Sequence, residues 1–293
     1  MRVTMNMMYA NTTWYVQQSQ AAFLKAQEVL STTKKINRPS DDPVGSARAL
    51  DLRKTLSLLD QFDRNLGTAS GFTQETETAL SNVVSGLQSA QELAVGVSSG
   101  TPNQGTFQAA AEQMDGIISE ALRNMNSKYE DQYIFSGYQT QTQPFDDQGQ
   151  YHGGAAGQDI EVEISQGQYL TINYTGDEVF KGPVDVPQVL IDLRNAMAAG
   201  DQAGIVQLLP QVSAALDQVV AFQSSMGPIS NQITTAKNDN ATFRIGATAI
   251  LSDVEDADMA AATTEFTKQQ QALETTLTVA GKVLAENFLD FLR

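Results

Sequence analysis

The sequence has no cysteine, a single histidine and a single tryptophan, and aromatic residues make up only 7% of its 293 positions. Without Cys there is no disulfide, no thiol nucleophile and no Cys-based zinc site. The lone His152 rules out a His-cluster metal centre and would leave Ser-His-Asp chemistry hanging on one residue. Bases are scarce too: 18 Lys and Arg stand against 34 Asp and Glu, a formal net charge of −16. That charge repels nucleic acid and anionic lipid, so neither is expected as a partner. No apolar run approaches the roughly 18 residues of a membrane span, and no membrane insertion is expected. The opening MRVTMNMMYANTTWYVQQ lacks the apolar centre of a secretory signal.

What remains is a chain with 41% hydrophobic residues, long enough to bury a sizeable core. Few aromatics with much Ala and Gln suit long helices. Leu80, Val83, Leu87, Ala90, Ala94 and Val97 step by three and four, as do Phe107, Ala111, Met114, Ile118, Leu122 and Met125. Each set is one apolar stripe on a helix. SSGTPNQG (98–105) between them is a turn, so the two helices are expected to pack as an antiparallel hairpin. The helical pattern is read as running to 138.

Residues 139–187 change character, with seven Gly, eight acids and one base, Lys181. QDIEVEI alternates at Ile160, Val162 and Ile164, and QYLTINY at Leu170, Ile172 and Tyr174. Period two with β-branched residues predicts two strands, joined by a hairpin turn at SQGQ. Helix returns from 188, with Phe222, Met226, Ile229, Ile233, Ala236 and Phe243 in register across Gly227-Pro228, where a break or kink is expected. The last stretch carries a heptad seam at 266, 270, 273, 277, 280, 284, 287 and 291. Its apolar finish, FLDFLR, is expected to be buried against another chain. A partner stripe near the start runs through Phe23, Ala26, Leu30, Thr33 and Ile36, with Trp14 before it.

INRPSDDPVGS (36–46) places two acids side by side, which invites a catalytic reading. Neighbours on a helix point about 100° apart and do not share a pocket. Asp42 before Pro43 instead fits an N-cap with Pro at the first helical position. Lys34, Lys35 and Arg38 are read as the basic end of the preceding helix. The acid-dense SDVEDADMA (252–260) lacks the alternation, Gly and closing Glu of a calcium loop and is read as a solvated helix face. HGGAAG around His152 lacks a dinucleotide-binding fingerprint, and spacing assigns His152 no partner. No catalytic, cofactor-binding or metal site is expected.

The two ends together resemble a known family. In 19–50 a Leu-Ser-Thr step, a basic pair, Ile-Asn and Asp-Asp-x-x-Gly follow in order; 254–270 holds Glu-Asp-Ala-Asp; VLAENFLDFLR closes the chain. These resemble the terminal signatures of the bacterial flagellin superfamily. YEDQYIFSGYQTQTQPF (129–145) resembles a block typical of its hook–filament junction branch. The resemblance implies a mainly α fold. It is an elongated antiparallel bundle or coiled-coil body built from both termini, with a small β-rich inserted outer domain. The expected divisions are 1–40 and 251–293 (assembly helices), 41–138 and 185–250 (helical body) and 139–184 (insert). It also implies a non-enzymatic, self-assembling adaptor. Its partners would be copies of itself, a neighbouring hook-associated protein, flagellin and a flagellar export chaperone. It would leave the cell by the flagellar type III channel without a cleaved signal. A small flagellin and a cytoplasmic coiled-coil binding module are the alternatives. The expected interface residues are Trp14, Phe23, Leu30, Ile36, Phe266, Leu273, Leu277, Leu284, Phe288, Phe291 and Leu292. Pro39, Ser40, Asp41, Asp42, Pro43 and Gly45 form the connector, and Tyr138 and Phe145 the hinge of the insert.

Overall fold

A computed structural model describes residues 5–99 and 103–291, with side chains over 7–99 and 103–283. Seven helices and two small hairpins follow one another: α1 (Met5–Thr32), α2 (Pro43–Ser98), α3 (Gln104–Met125), β1 (Lys128–Tyr129), β2 (Gln132–Tyr133), β3 (Glu161–Ser165), β4 (Gln168–Thr171), α4 (Gly176–Phe180), α5 (Val186–Ala199), α6 (Gln202–Glu255) and α7 (Met259–Phe291). The fold is mainly α with a small β region, as the patterns suggested. It divides into two compact units, Met1–Leu58 with Phe243–Arg293 and Leu59–Thr242.

The second unit owns the core. Every α2 position of the predicted stripe from Leu80 to Val97 is buried, and so are Phe107, Ala111, Met114, Ile118 and Met125 of α3. Asn82 of α2 donates to Asn124 Oδ1 of α3 at 3.0 Å, and Gly86 lies opposite Ile117. That order makes the pair antiparallel. Asn103 caps α3 by accepting from the Thr106 amide at 2.9 Å.

The helical pattern stops at Met125, short of 138. Residues 128–133 instead form a tight hairpin whose two turn residues, Glu130 and Asp131, both have positive φ (46° and 65°). Tyr129 turns back to stack edge-on with Phe72 of α2 at 6.2 Å. Gly71 leaves room for it: a Cβ there would stand 2.4 Å from Tyr129 Oη.

The β3–β4 hairpin is antiparallel and turns at Gly167, with φ 71°. The predicted strands and turn are therefore present. Their apolar side is continuous with the helical core: Phe145, Ile164, Leu170, Ile172, Val179 and Phe180 join the same cluster as Leu80 and Met114. Helix side chains tie the stretch down as well. Asn65 of α2 donates to the Glu163 carbonyl at 2.8 Å, and Gln218 of α6 donates to the Val179 and Val184 carbonyls. Thr175 and Glu178 form a reciprocal capping box at α4.

α6 runs unbroken through Pro210 and Pro228. Each Pro removes one backbone donor, and the helix tolerates the loss, so the expected break is absent. Of its predicted stripe, Met226 and Ile233 are buried but Phe243 is exposed. One window of α6 reaches a mean hydropathy of 1.4, long and apolar enough by composition to cross a membrane. Four of the apolar residues of α6, Ile205, Val212, Ala215 and Val219, are buried in the core of the second unit, while only 22% of that window is buried.

Candidate assembly surface

The first unit is built differently. Among the described residues its only buried hydrophobic side chains are four alanines, Ala26, Ala49, Ala247 and Ala280. Yet it holds fourteen of the nineteen large hydrophobic side chains left exposed, Trp14 and Ile245 among them. Exposed apolar area of this kind marks a candidate interaction surface.

α1 and α7 pair along their length. On α7 the covered positions are Ala262, Phe266, Gln269, Leu273, Thr276, Ala280 and Val283, in steps of four and three. On α1 they are Met8, Thr12, Val16, Ser19, Ala22, Phe23, Ala26, Glu28, Val29 and Leu30. Phe23 meets Phe266 with ring centroids 5.3 Å apart. The periodicity reading shares Phe266, Leu273 and Ala280 with this seam but puts Gln270 and Leu277 where the structure puts Gln269 and Thr276. The two choices differ by one residue, about 100° of helix rotation. Apolar content favoured Leu277. The facing α1 positions Ser19, Ala22 and Ala26 are small, and the smaller, polar pair closes on them. Leu277 is thereby left 51% exposed.

A groove of about 530 Å³ runs beside the seam between Tyr15, Ala22, Val279 and Val283. Six α7 threonines, at 263, 264, 267, 275, 276 and 278, each donate their hydroxyl to the carbonyl four residues back, at 2.7–3.0 Å. Trp14 is 56% exposed and stacks edge-on with Tyr15 at 5.0 Å. Leu284, Phe288 and Phe291 lie beyond the described side chains, and Leu292 lies outside the described residues altogether.

The connector joins this pair to α2. α1 ends at Thr32, so Thr33 (φ 60°) and the half-buried Ile36 are not on its stripe as expected. Asp42 caps α2, its Oδ1 accepting from the amides of Val44 at 3.1 Å and Gly45 at 2.9 Å, with Pro43 at the first helical position. Gly45 gives the cap space, because a Cβ there would come within 2.4 Å of Asp42 Oδ2 and 2.6 Å of Ile36 Cδ1. Asp41 is engaged separately. It accepts from Lys25 Nζ at 2.9 Å and from the amides of Arg38 and Asn37, and the Lys25 bond leads in holding its carboxyl below the usual range. The two acids are punctuation with different partners. Pro39 and Ser40 lie exposed between them and α1.

The bases and the second acidic stretch have other roles than those expected. Lys34, Lys35 and Arg38 stand beyond the end of α1 and do not serve its dipole. Lys34 Nζ reaches Glu255 Oε2 at 2.7 Å, Arg53 reaches Glu255 Oε1 at 2.6 Å, and Lys35 Nζ donates to the Asp253 carbonyl at 2.6 Å. Glu255 is no solvated face, since its side chain is only 4% exposed. Burial pushes its carboxyl up, but the hydrogen bonds from Lys34 and Arg53 outweigh burial and hold it below its ordinary value. Backbone completes the clasp: Lys35 N donates to Glu255 O at 2.7 Å and Ala257 N to Thr33 O at 2.9 Å. Asp258 then caps α7 through the amides of Ala260 and Ala261. So 252–260 spans the end of α6, a helix break at 256–258 and the start of α7, and that break mirrors 33–42. The signal for Glu255 was the basic cluster at one break facing an acidic cluster at the other.

The remaining sites lie in the second unit. Phe145 is fully buried against Tyr151 and Phe180, at 5.1 and 5.7 Å. Tyr138 is exposed and anchored by its hydroxyl to the Asp159 carbonyl at 2.9 Å. His152 does have a carboxylate partner, Asp146 Oδ2 at 3.0 Å, but that carboxylate also caps the turn amides of Gln148 and Gln150. Among the described residues no group of His, Cys, Asp or Glu is placed to hold a metal ion.

The bacterial flagellin N-terminal helical region matches residues 3–140, and the C-terminal helical region matches 209–292. Flagellar hook-associated protein 3 of Escherichia coli is 28% identical across 94% of both chains. Flagellin of Bacillus subtilis is 27% identical across the whole of both. Bacillus cereus FlgL superposes with a TM-score of 0.61 at 22% identity, over 69% of this chain and 99% of that one. With both terminal regions matched in order at opposite ends, this chain belongs to the bacterial flagellin family.

Proposed function

We propose that the protein is a non-catalytic, self-assembling adaptor of the bacterial flagellum that joins the hook, through another hook-associated protein, to the flagellin filament. The observation that carries this reading is the first unit: a helix pair and two clasped breaks with alanines for a core and large apolar side chains outside. Burying one Leu or Phe is worth about 1.5–3 kcal/mol, while ordering each residue's backbone costs about 1–2 kcal/mol. A pair that buries so little orders best when neighbouring subunits cover it. Copies of the same chain, the adjoining hook-associated protein and flagellin are its partners there. The near full-length relationship to a hook-associated protein 3 supports the junction role. Transit through the flagellar type III channel with an export chaperone fits a chain free of cysteine.

A second reading, a small flagellin that forms the filament itself, is favoured by the end-to-end match to the Bacillus subtilis flagellin. Deleting the gene in its host separates the two. The adaptor reading expects hooks without filaments and monomeric flagellin in the medium, with few copies per wild-type filament. Many copies along the filament would overturn it. Recovery of the protein only from cytosol, and never from sheared flagella, would overturn both.

A further inference from the structure

The second unit carries a cleft of about 1080 Å³ between α3, α5 and the 143–150 loop, apart from the assembly surface. Its floor is apolar, made by Ile118, Leu122 and Ile191. Its walls hold three of the chain's scarce bases, Arg123, Lys128 and Arg194, against Asp115 and Asp147. Lys128 is occupied, 4.3 Å over the ring of Tyr133. The two arginines are less committed. Arg194 keeps one long ion pair, Nε to Asp115 Oδ1 at 3.6 Å, which is too long for a hydrogen bond and leaves the buried Nε without one. The Arg123 guanidinium has no partner among the described residues. The side-chain amides of Gln148 and Gln150, also in the lining, are likewise unengaged.

Each feature selects a ligand. Guanidinium forks bind a carboxylate in the plane of the fork. Free amides offer a donor and an acceptor together, the pattern that hydroxyl groups need. An apolar floor takes the C–H face of a sugar ring. Asp115, Asp147 and the chain's net charge of −16 oppose densely charged ligands such as acidic peptides or polyphosphates. We propose that this cleft binds a short acidic saccharide, its carboxylate taken by Arg194 and Arg123, its hydroxyls by Gln148 and Gln150, and its ring by the floor.

The test is titration calorimetry on the full chain with three probes: a tetrasaccharide of alternating glucuronate and N-acetylglucosamine, neutral tetra-N-acetylchitotetraose, and a tetraglutamate peptide. The acidic sugar is expected to bind at least tenfold more tightly than either control. Arg123→Gln, at an exposed site, should weaken it at least fivefold with an unchanged melting temperature. Gln148→Ala should weaken it about threefold. Equal affinity for the neutral sugar, tighter binding of the peptide, no binding at all, or an unaffected Arg123→Gln would each overturn the proposal.

Discussion

The ring of Phe23 in the first helix lies 5.3 Å from the ring of Phe266 in the last, tilted by 36°. It is the one aromatic pair of a seam otherwise made of Ala, Ser, Thr and Gln with Met8, Val16, Glu28, Val29, Leu30, Leu273 and Val283 among the described side chains. Such ring pairs add about 0.5–1.5 kcal/mol beyond the area they bury. A double-mutant cycle of Phe23→Ala and Phe266→Ala, read by amide exchange in α1, should give a coupling of about 1 kcal/mol. Additive losses would mean the rings do not cooperate.

Leu277 lies beside that seam and faces out. Leu277→Asp should therefore change monomer stability by no more than about 0.5 kcal/mol, the usual range for surface sites. Attachment of filaments, scored by motility and electron microscopy, should be lost. A motile Leu277→Asp strain would remove Leu277 from the interface.

Glu255 is the only buried carboxylate among the described residues, and it clasps the two helix breaks. Its folded value is depressed, so its contribution is present above the ordinary Glu value, about 4.3, and is lost as pH falls through the folded value. Glu255→Gln should cost about 1–2 kcal/mol at neutral pH and abolish that acid-side loss. Thermal melts from pH 7 to 3 check both. An unchanged acid limb would show that another group drives it.

The turn between β1 and β2 places Glu130 and Asp131 in left-handed backbone. An L side chain there costs about 1–2 kcal/mol, offset in part by the freedom that Gly adds to the unfolded chain. Asp131→Gly should then stabilise the second unit by about 0.5–1 kcal/mol in urea melts. Destabilisation would show that the Asp131 side chain contributes more than its backbone costs.

The Tyr151 hydroxyl lies within hydrogen-bond distance of the carbonyls of Phe135 and Gly154, at 2.9 and 2.8 Å, and its one proton is shared between them. Burial first, then the nearby Asp177, pushes its phenol up to about 12. A raised value means the stabilising contribution is intact below pH about 10 and lost as pH climbs towards 12. Tyr151→Phe should flatten stability between pH 10 and 12. If the alkaline loss persists unaltered, Tyr151 is not its source.

Much of the architecture was legible because it follows periodicity. The α2–α3 stripes, the β3–β4 alternation and the Asp42–Pro43 cap are local patterns, and local patterns survive folding. What escaped was decided by partners distant in sequence. Nothing local distinguishes Thr276 from Leu277 as the seam position; the small residues of α1 decide it. Nothing local makes Glu255 buried; Lys34 and Arg53 do. The hairpin at 128–133 hid because its turn uses Glu and Asp where Asn and Gly are usual. The residues expected at an interface were chosen by apolar content, whereas which of them face outward depended on the seam.

The threonines of α7 bear on what happens when this helix is covered. A hydroxyl that looks to water loses that bond when an apolar neighbour arrives, at a cost of about 1–3 kcal/mol for each stranded group. Here each hydroxyl proton is already committed to its own helix. What the helix presents outward at those positions is chiefly the threonine methyl. A threonine surface that reads as polar in the sequence is therefore dry in advance: where it faces outward it can close against a greasy neighbour without stranding a hydroxyl donor.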